Sequence, residues 1–141
     1  MRVWVLDKRK AHSKVSASTK SLVTQRIDQL INDYLKPRYI KPPSENSEYS
    51  YITDIFSKWY RHYLYLCSKH NSNNPDAISP SFEMKFDRVE YVLGDRYNLS
   101  YMRYAGQLSY IRNKGEWFEL YSKITLDECI NLIKEDEVFH P

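Results

Sequence analysis

Residues 82–101 constrain the fold most, because apolar and charged side chains alternate along them. Phe82, Met84 and Phe86 alternate with charged residues, a pattern typical of a strand with one buried face. The apolar phase then shifts by one residue, as an extra residue in a β-bulge would cause. The dipeptide Gly94-Asp95 predicts a tight turn before the next strand. The segment therefore predicts an antiparallel hairpin.

In residues 51–70, periodicity and residue type favour different structures. The apolar residues recur at helical spacing, which favours a helix. However, the segment consists largely of aromatic and β-branched residues and lacks alanine, glutamate and glutamine, which favours strands. We predict a hairpin with strands Tyr51–Tyr60 and Tyr63–His70 that turns near Arg61-His62, with a helix as the alternative.

A helix is predicted before this sheet and another after it. Apolar residues at helical spacing from Leu22 to Leu35 predict a helix that Ser18 or Thr19 caps. Pro37 is expected to end it at about Lys36.

At the other end of the sequence, Thr125–Glu128 has the form of a capping box and predicts a second helix. Residues 107–112 and 116–121 add short strands between turn signals. The fold class is therefore α+β: an N-terminal helix, an antiparallel meander of four to six strands and a C-terminal helix, forming one domain over residues 19–141.

Composition excludes several classes of protein. No apolar run approaches the length of a membrane span, and residues 1–14 lack the apolar stretch of a signal peptide. Two cysteines, Cys67 and Cys129, cannot form a disulfide framework. Three isolated glycines exclude a glycine-rich phosphate loop. We expect a cytoplasmic protein with no membrane partner.

Positive charge is concentrated towards the N-terminus. Residues 1–70 carry 13 basic and 6 acidic residues, whereas residues 71–141 carry 8 basic and 12 acidic ones. Residues 1–18 form a basic arm that is expected to be flexible, with Lys8, Arg9, Lys10 and Lys14 as its candidate contacts. Such an arm suits either phosphate binding, which releases counterions, or a charged, solvated terminus.

Two weak patterns point to metal chemistry. Asp76, Glu83 and Lys85 echo the Pro-Asp…Glu-x-Lys pattern of metal-dependent nucleases, in which two carboxylates bind Mg²⁺. Strand alternation alone also explains Glu83 and Lys85 as solvent-facing residues. The trio of His62, Cys67 and His70 is unusually spaced for zinc. We therefore predict no metal site, no cofactor and no catalytic machinery, with a nuclease as the third-ranked function.

Aromatic and basic residues interleave along the predicted sheet and form its candidate binding site. The candidate residues are Lys58, Trp59, Arg61, Tyr63, Tyr101, Arg103 and Trp117. Tyrosine, tryptophan and arginine dominate protein interfaces, although rings also stack unpaired bases or fill a core. We predict a non-catalytic interaction or regulatory module that binds a partner protein or a second copy of itself. Nucleic-acid binding, through the arm and ring stacking, is the alternative.

Residues 54–141 resemble small uncharacterised bacterial proteins without an assigned activity. The segments that carry the resemblance are Lys58-Trp59, Ala77–Pro80, Phe82-Glu83, Arg88–Tyr91, Tyr97–Arg103 and Leu126–Cys129. The resemblance favours the hairpin for residues 51–70 and implies no function. The extra residues between Gly106 and Glu116 depart from that pattern and leave the number of strands open.

Overall fold

A computed structural model describes residues 14–41, 50–72, 81–104 and 115–141. In chain order its elements are α1 (Ala17–Leu30), a π-helical segment (Ile31–Leu35), α2 (Lys36–Tyr39), β1 (Ser50–Tyr60), β2 (Tyr63–Ser72), β3 (Ser81–Leu93), β4 (Arg96–Arg103), β5 (Glu116–Ile124), α3 (Leu126–Glu135) and a 3₁₀ turn (Glu137–Phe139). The strands form one antiparallel sheet in the order β1-β2-β3-β4-β5. The predicted α+β class is confirmed.

The first helix begins earlier than the sequence predicted. Its N-cap is Ser16, whose Oγ accepts a hydrogen bond from the Thr19 backbone N–H at 3.1 Å. The predicted caps, Ser18 and Thr19, lie inside the first turn. Val15 is already buried just before the cap, so the chain packs against the core before the helix starts. The helix therefore includes two residues of the predicted arm.

Pro37 does not end the helix, contrary to prediction. A π-helical turn over Ile31–Leu35 precedes it, and the Lys36 N–H donates to the Ile31 carbonyl five residues back. This wider turn places Pro37 in the first turn of α2, where its missing N–H and its ring are tolerated. The helical path consequently continues to Tyr39.

Residues 51–70 form the predicted hairpin rather than a helix. Tyr60 pairs with Tyr63 at the turn, and Arg61 adopts a positive φ of 56°. The two faces of the hairpin differ in burial. Leu64 and Leu66 are fully buried on one face, whereas Tyr65 between them is partly exposed on the other. Strand alternation therefore determines burial here, and the helical spacing was incidental.

The hairpin of β3 and β4 also follows the prediction. The register shifts opposite Leu66 and Cys67 and leaves Phe86 as the extra residue of a bulge. Gly94 turns the chain with a φ of 55°, in the left-handed region that glycine adopts without a steric cost.

In the last part of the sheet, β5 extends three residues beyond the predicted end, to Ile124. The predicted strand over residues 107–112 lies outside the described residues.

Both ends of the chain cover the same face of the sheet. From α1, Thr24 Oγ1 accepts a hydrogen bond from the Trp59 indole N–H at 2.8 Å. At the C-terminal end, the buried Phe139 ring contacts those of Tyr101 and Tyr121. We call this side the covered face. Its core residues include Val23, Ile27, Leu35, Ile55, Leu64, Leu66, Val89, Leu99, Cys129, Ile133 and Phe139.

The last helix is held in place at its N-terminus. Thr125 and Glu128 form the predicted capping box, with the Thr125 Oγ1 accepting from the Glu128 N–H at 3.2 Å and Glu128 Oε1 accepting from the Thr125 N–H at 3.0 Å. The Asp95 carboxylate of the β3–β4 turn accepts from the Leu126 N–H. This bond fixes α3 to the sheet. Every helix in the described ranges is too short or too polar to cross a bilayer.

Candidate functional site

The opposite side of the sheet carries no helix in the described ranges, and we call it the uncovered face. Because side chains alternate along a strand, the register assigns its residues directly. Across the five strands they include Phe56 and Lys58; Tyr63, Tyr65, Cys67 and Lys69; Glu83, Lys85, Arg88 and Glu90; Asn98, Ser100 and Met102; and Trp117 and Glu119.

Three rings and two cations at the centre of this face pack against one another. The Arg88 guanidinium carbon lies 4.6 Å from the centroid of the Tyr63 ring and 4.8 Å from that of Trp117. Lys85 Nζ lies 4.5 Å from the Tyr65 ring centroid. We call Tyr63, Tyr65, Trp117, Lys85 and Arg88 the ring–cation cluster.

The register explains why this cluster forms. Tyr65 lies directly opposite Arg88 across β2 and β3, and Arg88 lies opposite the small Ser100 on β4. The short serine leaves room for the Trp117 ring of β5, whose centroid is 5.7 Å from that of Tyr65. The cluster thus spans four strands.

The cations of the cluster have no anionic partner in the described ranges. Neither Lys85 nor Arg88 forms an ion pair with a described residue, and no described residue accepts a hydrogen bond from the buried Nε of Arg88. The Ser100 Oγ beside it is also buried and has no hydrogen-bond partner in the described part of the chain. Buried donors without acceptors are uncommon in folded proteins and destabilise them.

A polar network borders the cluster at the β1–β2 turn. The Glu90 carboxylate lies 3.1 Å from His62 Nε2 and accepts a hydrogen bond from the Asn98 amide at 3.2 Å. The His62 ring also packs on Tyr63, with centroids 4.2 Å apart. Burial, followed by the Glu90 carboxylate, raises the pKa of Tyr63, so its hydroxyl stays protonated at neutral pH.

Both cysteines are buried and protonated. Burial raises the pKa of Cys67 to about 11 and that of Cys129 to about 12. A nucleophilic cysteine needs a thiolate, which these surroundings disfavour. The two thiols therefore act as small apolar groups, Cys129 in the core and Cys67 on the uncovered face.

One buried carboxyl was not anticipated from the sequence. Asp87 lies on the covered face, opposite Leu66 on one side and Tyr101 on the other. It is fully buried, and neither oxygen has a hydrogen-bond partner among the described residues. Burial raises the pKa of its carboxyl well above the ordinary value, which favours the neutral, protonated form in the folded protein.

The structure distributes the predicted binding residues over both faces and the turns. Lys58, Tyr63 and Trp117 lie on the uncovered face. Trp59 and Tyr101 lie on the covered face, where they contact the helices and the C-terminal turn.

The remaining two lie at strand ends. Arg61 is in the β1–β2 turn, 5.2 Å from the Tyr60 ring centroid. Arg103 ends β4, opposite Glu116.

Three members of the ring–cation cluster, Tyr65, Lys85 and Arg88, are not among the binding residues that the sequence predicted. Tyr65 lies two positions after Tyr63 on the same strand, so strand alternation alone could have placed both side chains on one face. Arg88 follows the bulge at Phe86, and its face could be assigned only once the bulge was located.

The residues of the predicted nuclease and zinc patterns do not come together within the described ranges. Asp76 lies outside them, Glu83 is exposed and Lys85 lies over the Tyr65 ring. His70 stacks on Phe82, on the face opposite Cys67. No group of three metal-ligating side chains occurs in the part of the chain that the structure describes.

Most of the basic arm, residues 1–13, falls outside the described residues. Lys8, Arg9 and Lys10 are not among them, and Lys14 is exposed just before the helix cap.

Comparison with known proteins gives the family. Neither the curated proteins nor the solved structures provided a match. A family model does match, over residues 15–141, and its description is that of a domain of unknown function, DUF3024. Since the match covers nearly the whole sequence, this chain belongs to the DUF3024 family.

Proposed function

We propose that the domain is a non-catalytic interaction module that binds a partner protein through the uncovered face of its sheet. The observation that carries the proposal is the ring–cation cluster, in which Arg88 lies against the rings of both Tyr63 and Trp117. Tyrosine, tryptophan and arginine are the residues most enriched among the energetically dominant contacts of protein interfaces.

The cluster is ordered before any partner arrives. Tyr63 and Tyr65 stack with centroids 5.9 Å apart, and Tyr65 also packs on Trp117. Side chains that are already fixed lose less conformational entropy on binding. Rigid aromatic anchors of this kind supply contact area at a small entropic cost.

The charge pattern of the face favours a protein over a nucleic acid. Its cations alternate with carboxylates, since Lys69 lies opposite Glu83, and Glu119 lies opposite Ser100 beside Arg88. A regular phosphate backbone would meet these carboxylates as well as the cations. Protein partners tolerate mixed charges better because they can present either sign.

Ring packing argues in the same direction. The Tyr63 ring packs against His62 and Arg88 as well as Tyr65. Base stacking needs ring faces free to receive a base, whereas a protein side chain can also contact ring edges and hydroxyl groups.

A selection experiment tests the proposal without a known partner. Displayed random peptides would be selected on the folded domain, and dissociation constants would be measured for synthetic copies against the wild type and Tyr65→Ala. The control is Leu22→Ala, which removes an exposed apolar side chain on α1. We expect binding to weaken by roughly tenfold or more in Tyr65→Ala and to stay unchanged in the control.

Two parallel measurements decide between the alternatives. Sedimentation equilibrium of both variants shows whether the partner is a second copy, because a homodimer through this face would dissociate in Tyr65→Ala. Fluorescence anisotropy with single-stranded DNA and RNA at two salt concentrations reports nucleic-acid binding, which weakens steeply with salt. Peptides that bind Tyr65→Ala as tightly as the wild type would contradict the proposal.

A further inference from the structure

We infer that the ring–cation cluster recognises carboxylates, and that the partner therefore presents an acidic segment whose carboxylate binds Arg88. This inference rests on the proposed function and adds the chemistry of the partner. The uncovered face offers cations whose positive charge is not balanced by an ion pair within the described ranges, and it offers them between aromatic rings.

Arg88 is the first of two observations behind this inference. Its guanidinium packs on Tyr63 and Trp117, which removes part of its hydration, and its buried Nε has no acceptor among the described residues. A guanidinium presents paired N–H donors in the geometry that a carboxylate accepts. Since Arg88 is partly exposed, an incoming carboxylate would accept hydrogen bonds from the side of the guanidinium that the rings leave accessible.

Ser100 provides the second observation. It lies opposite Arg88 across β3 and β4. The residue is 1% exposed and its Oγ has no partner in the described part of the chain. Two neighbouring side chains on adjacent strands therefore both keep unused donors. Because both atoms are buried and Trp117 packs on Arg88, an oxygen anion would meet them when the Trp117 ring moves aside.

Flanking carboxylates favour a singly charged carboxylate over a phosphate as the anion. Glu119 lies opposite Ser100, and Glu90 is two positions from Arg88 on β3. A phosphate monoester carries up to twice the charge of a carboxylate at neutral pH, so these side chains would repel it more strongly. Lys85, over Tyr65, provides a second cation for a neighbouring acidic residue of the same segment.

The test compares two labelled peptides by fluorescence anisotropy. One alternates glutamate with tyrosine, and the other has glutamine in place of every glutamate. We expect the glutamate peptide to bind the wild type roughly tenfold or more tightly than the glutamine peptide, the effect of one or two charge-assisted contacts. Arg88→Gln should remove that preference.

Two further variants make the test specific. Arg38→Gln is the matched control, because Arg38 also packs on a tyrosine ring, 4.8 Å from the Tyr34 centroid, but belongs to α2. It should keep the full preference. Arg88→Lys retains the charge without the paired donors and should keep only part of it. Circular dichroism establishes that each variant is folded.

The outcomes separate this inference from the proposed function. Equal affinity of the wild type for both peptides, or no binding of either, would overturn the carboxylate inference whatever the variants do. If Tyr65→Ala still abolished binding of the selected peptides in that case, the proposed interaction module would be supported and only the acidic nature of the partner would be wrong. An oligothymidylate could also bind the wild type more tightly than the glutamate peptide does and lose that binding in Arg88→Gln. This result would identify the partner as a nucleic acid and overturn both the proposed function and the carboxylate inference.

Discussion

On the covered face, Trp59 donates its indole N–H to Thr24 of α1, whereas on the uncovered face Trp117 packs on the Arg88 guanidinium. The residue type is the same, and both side chains are partly buried. What differs is the layer opposite them: helices on one side, and no described helix on the other. The comparison shows that an aromatic side chain in this sheet serves the core or the surface according to its strand register.

The largest expected effect comes from two neighbouring residues of β2 that lie on opposite faces. Leu64→Ala removes a fully buried side chain and should reduce the free energy of unfolding by about 3–5 kcal/mol. Tyr65→Ala should reduce it by about 1–2 kcal/mol, because only ring and cation contacts at the surface are lost. Chemical denaturation of both variants measures the difference. Equal losses would mean that side chains on the two faces contribute equally to the free energy of unfolding.

The second prediction concerns pH and the covered face. Because burial raises the folded-state pKa of Asp87, the folded protein holds a proton that the unfolded chain releases above about pH 4. The free energy of unfolding should therefore fall as pH rises, by about 1.4 kcal/mol per unit until the folded carboxyl ionises. Asp87→Asn lacks this proton, so its stability relative to the wild type should increase as the pH rises above about 4, until the folded wild-type carboxyl ionises.

Urea denaturation of the wild type and Asp87→Asn across that pH range provides the measurement. The difference between the two proteins isolates Asp87, because other titrating groups contribute to both. Parallel pH profiles would show that this carboxyl does not become neutral on folding.

A third prediction tests how the C-terminal helix is kept on the covered face. Thr125→Ala removes the capping side chain of α3 and should lower the free energy of unfolding by about 1 kcal/mol. Thr125→Ser keeps a hydroxyl at the same position and is the control. Thermal unfolding followed by circular dichroism distinguishes them, and an unchanged midpoint for the alanine variant would show that the Asp95 contact to Leu126 suffices to hold the helix.

The smallest effect is expected at Ser100 on the uncovered face. Its buried hydroxyl has no partner among the described residues, so Ser100→Ala should leave the free energy of unfolding unchanged or raise it by up to about 1 kcal/mol. The glutamate peptide should nevertheless bind this variant more weakly than the wild type. A variant that loses stability without losing affinity would assign Ser100 to the fold rather than to the binding surface.

Much of the fold could be predicted from the sequence, because its signals are local. Alternation over residues 82–101, the Gly94-Asp95 turn and the capping box at Thr125 each depend on neighbouring residues alone. The N-cap at Ser16 and the passage of the helix through Pro37 could not be predicted in this way. They depend on the burial of Val15 and on a π-helical turn, neither of which has a short motif.

The candidate site was less predictable than the fold. The enrichment in tyrosine, tryptophan and arginine indicated a binding surface, but which of these residues share a face depends on the position of each bulge. It also depends on which side the helices pack, a choice made between segments distant in the chain. Trp59 and Trp117 look alike in the sequence, and only tertiary packing separates them.

The π-helical turn at Ile31–Leu35 contains one residue more than an α-helical turn would need. Deleting the exposed Asn32 should therefore convert the segment into a regular α-helix and leave the later side chains in nearly their present directions, so that Tyr39 keeps its hydrogen bond to His140. Pro37 would then lie inside an uninterrupted α-helix, where its ring meets the carbonyl four residues back. The extra residue of this turn is what allows a proline to follow it without breaking the helix.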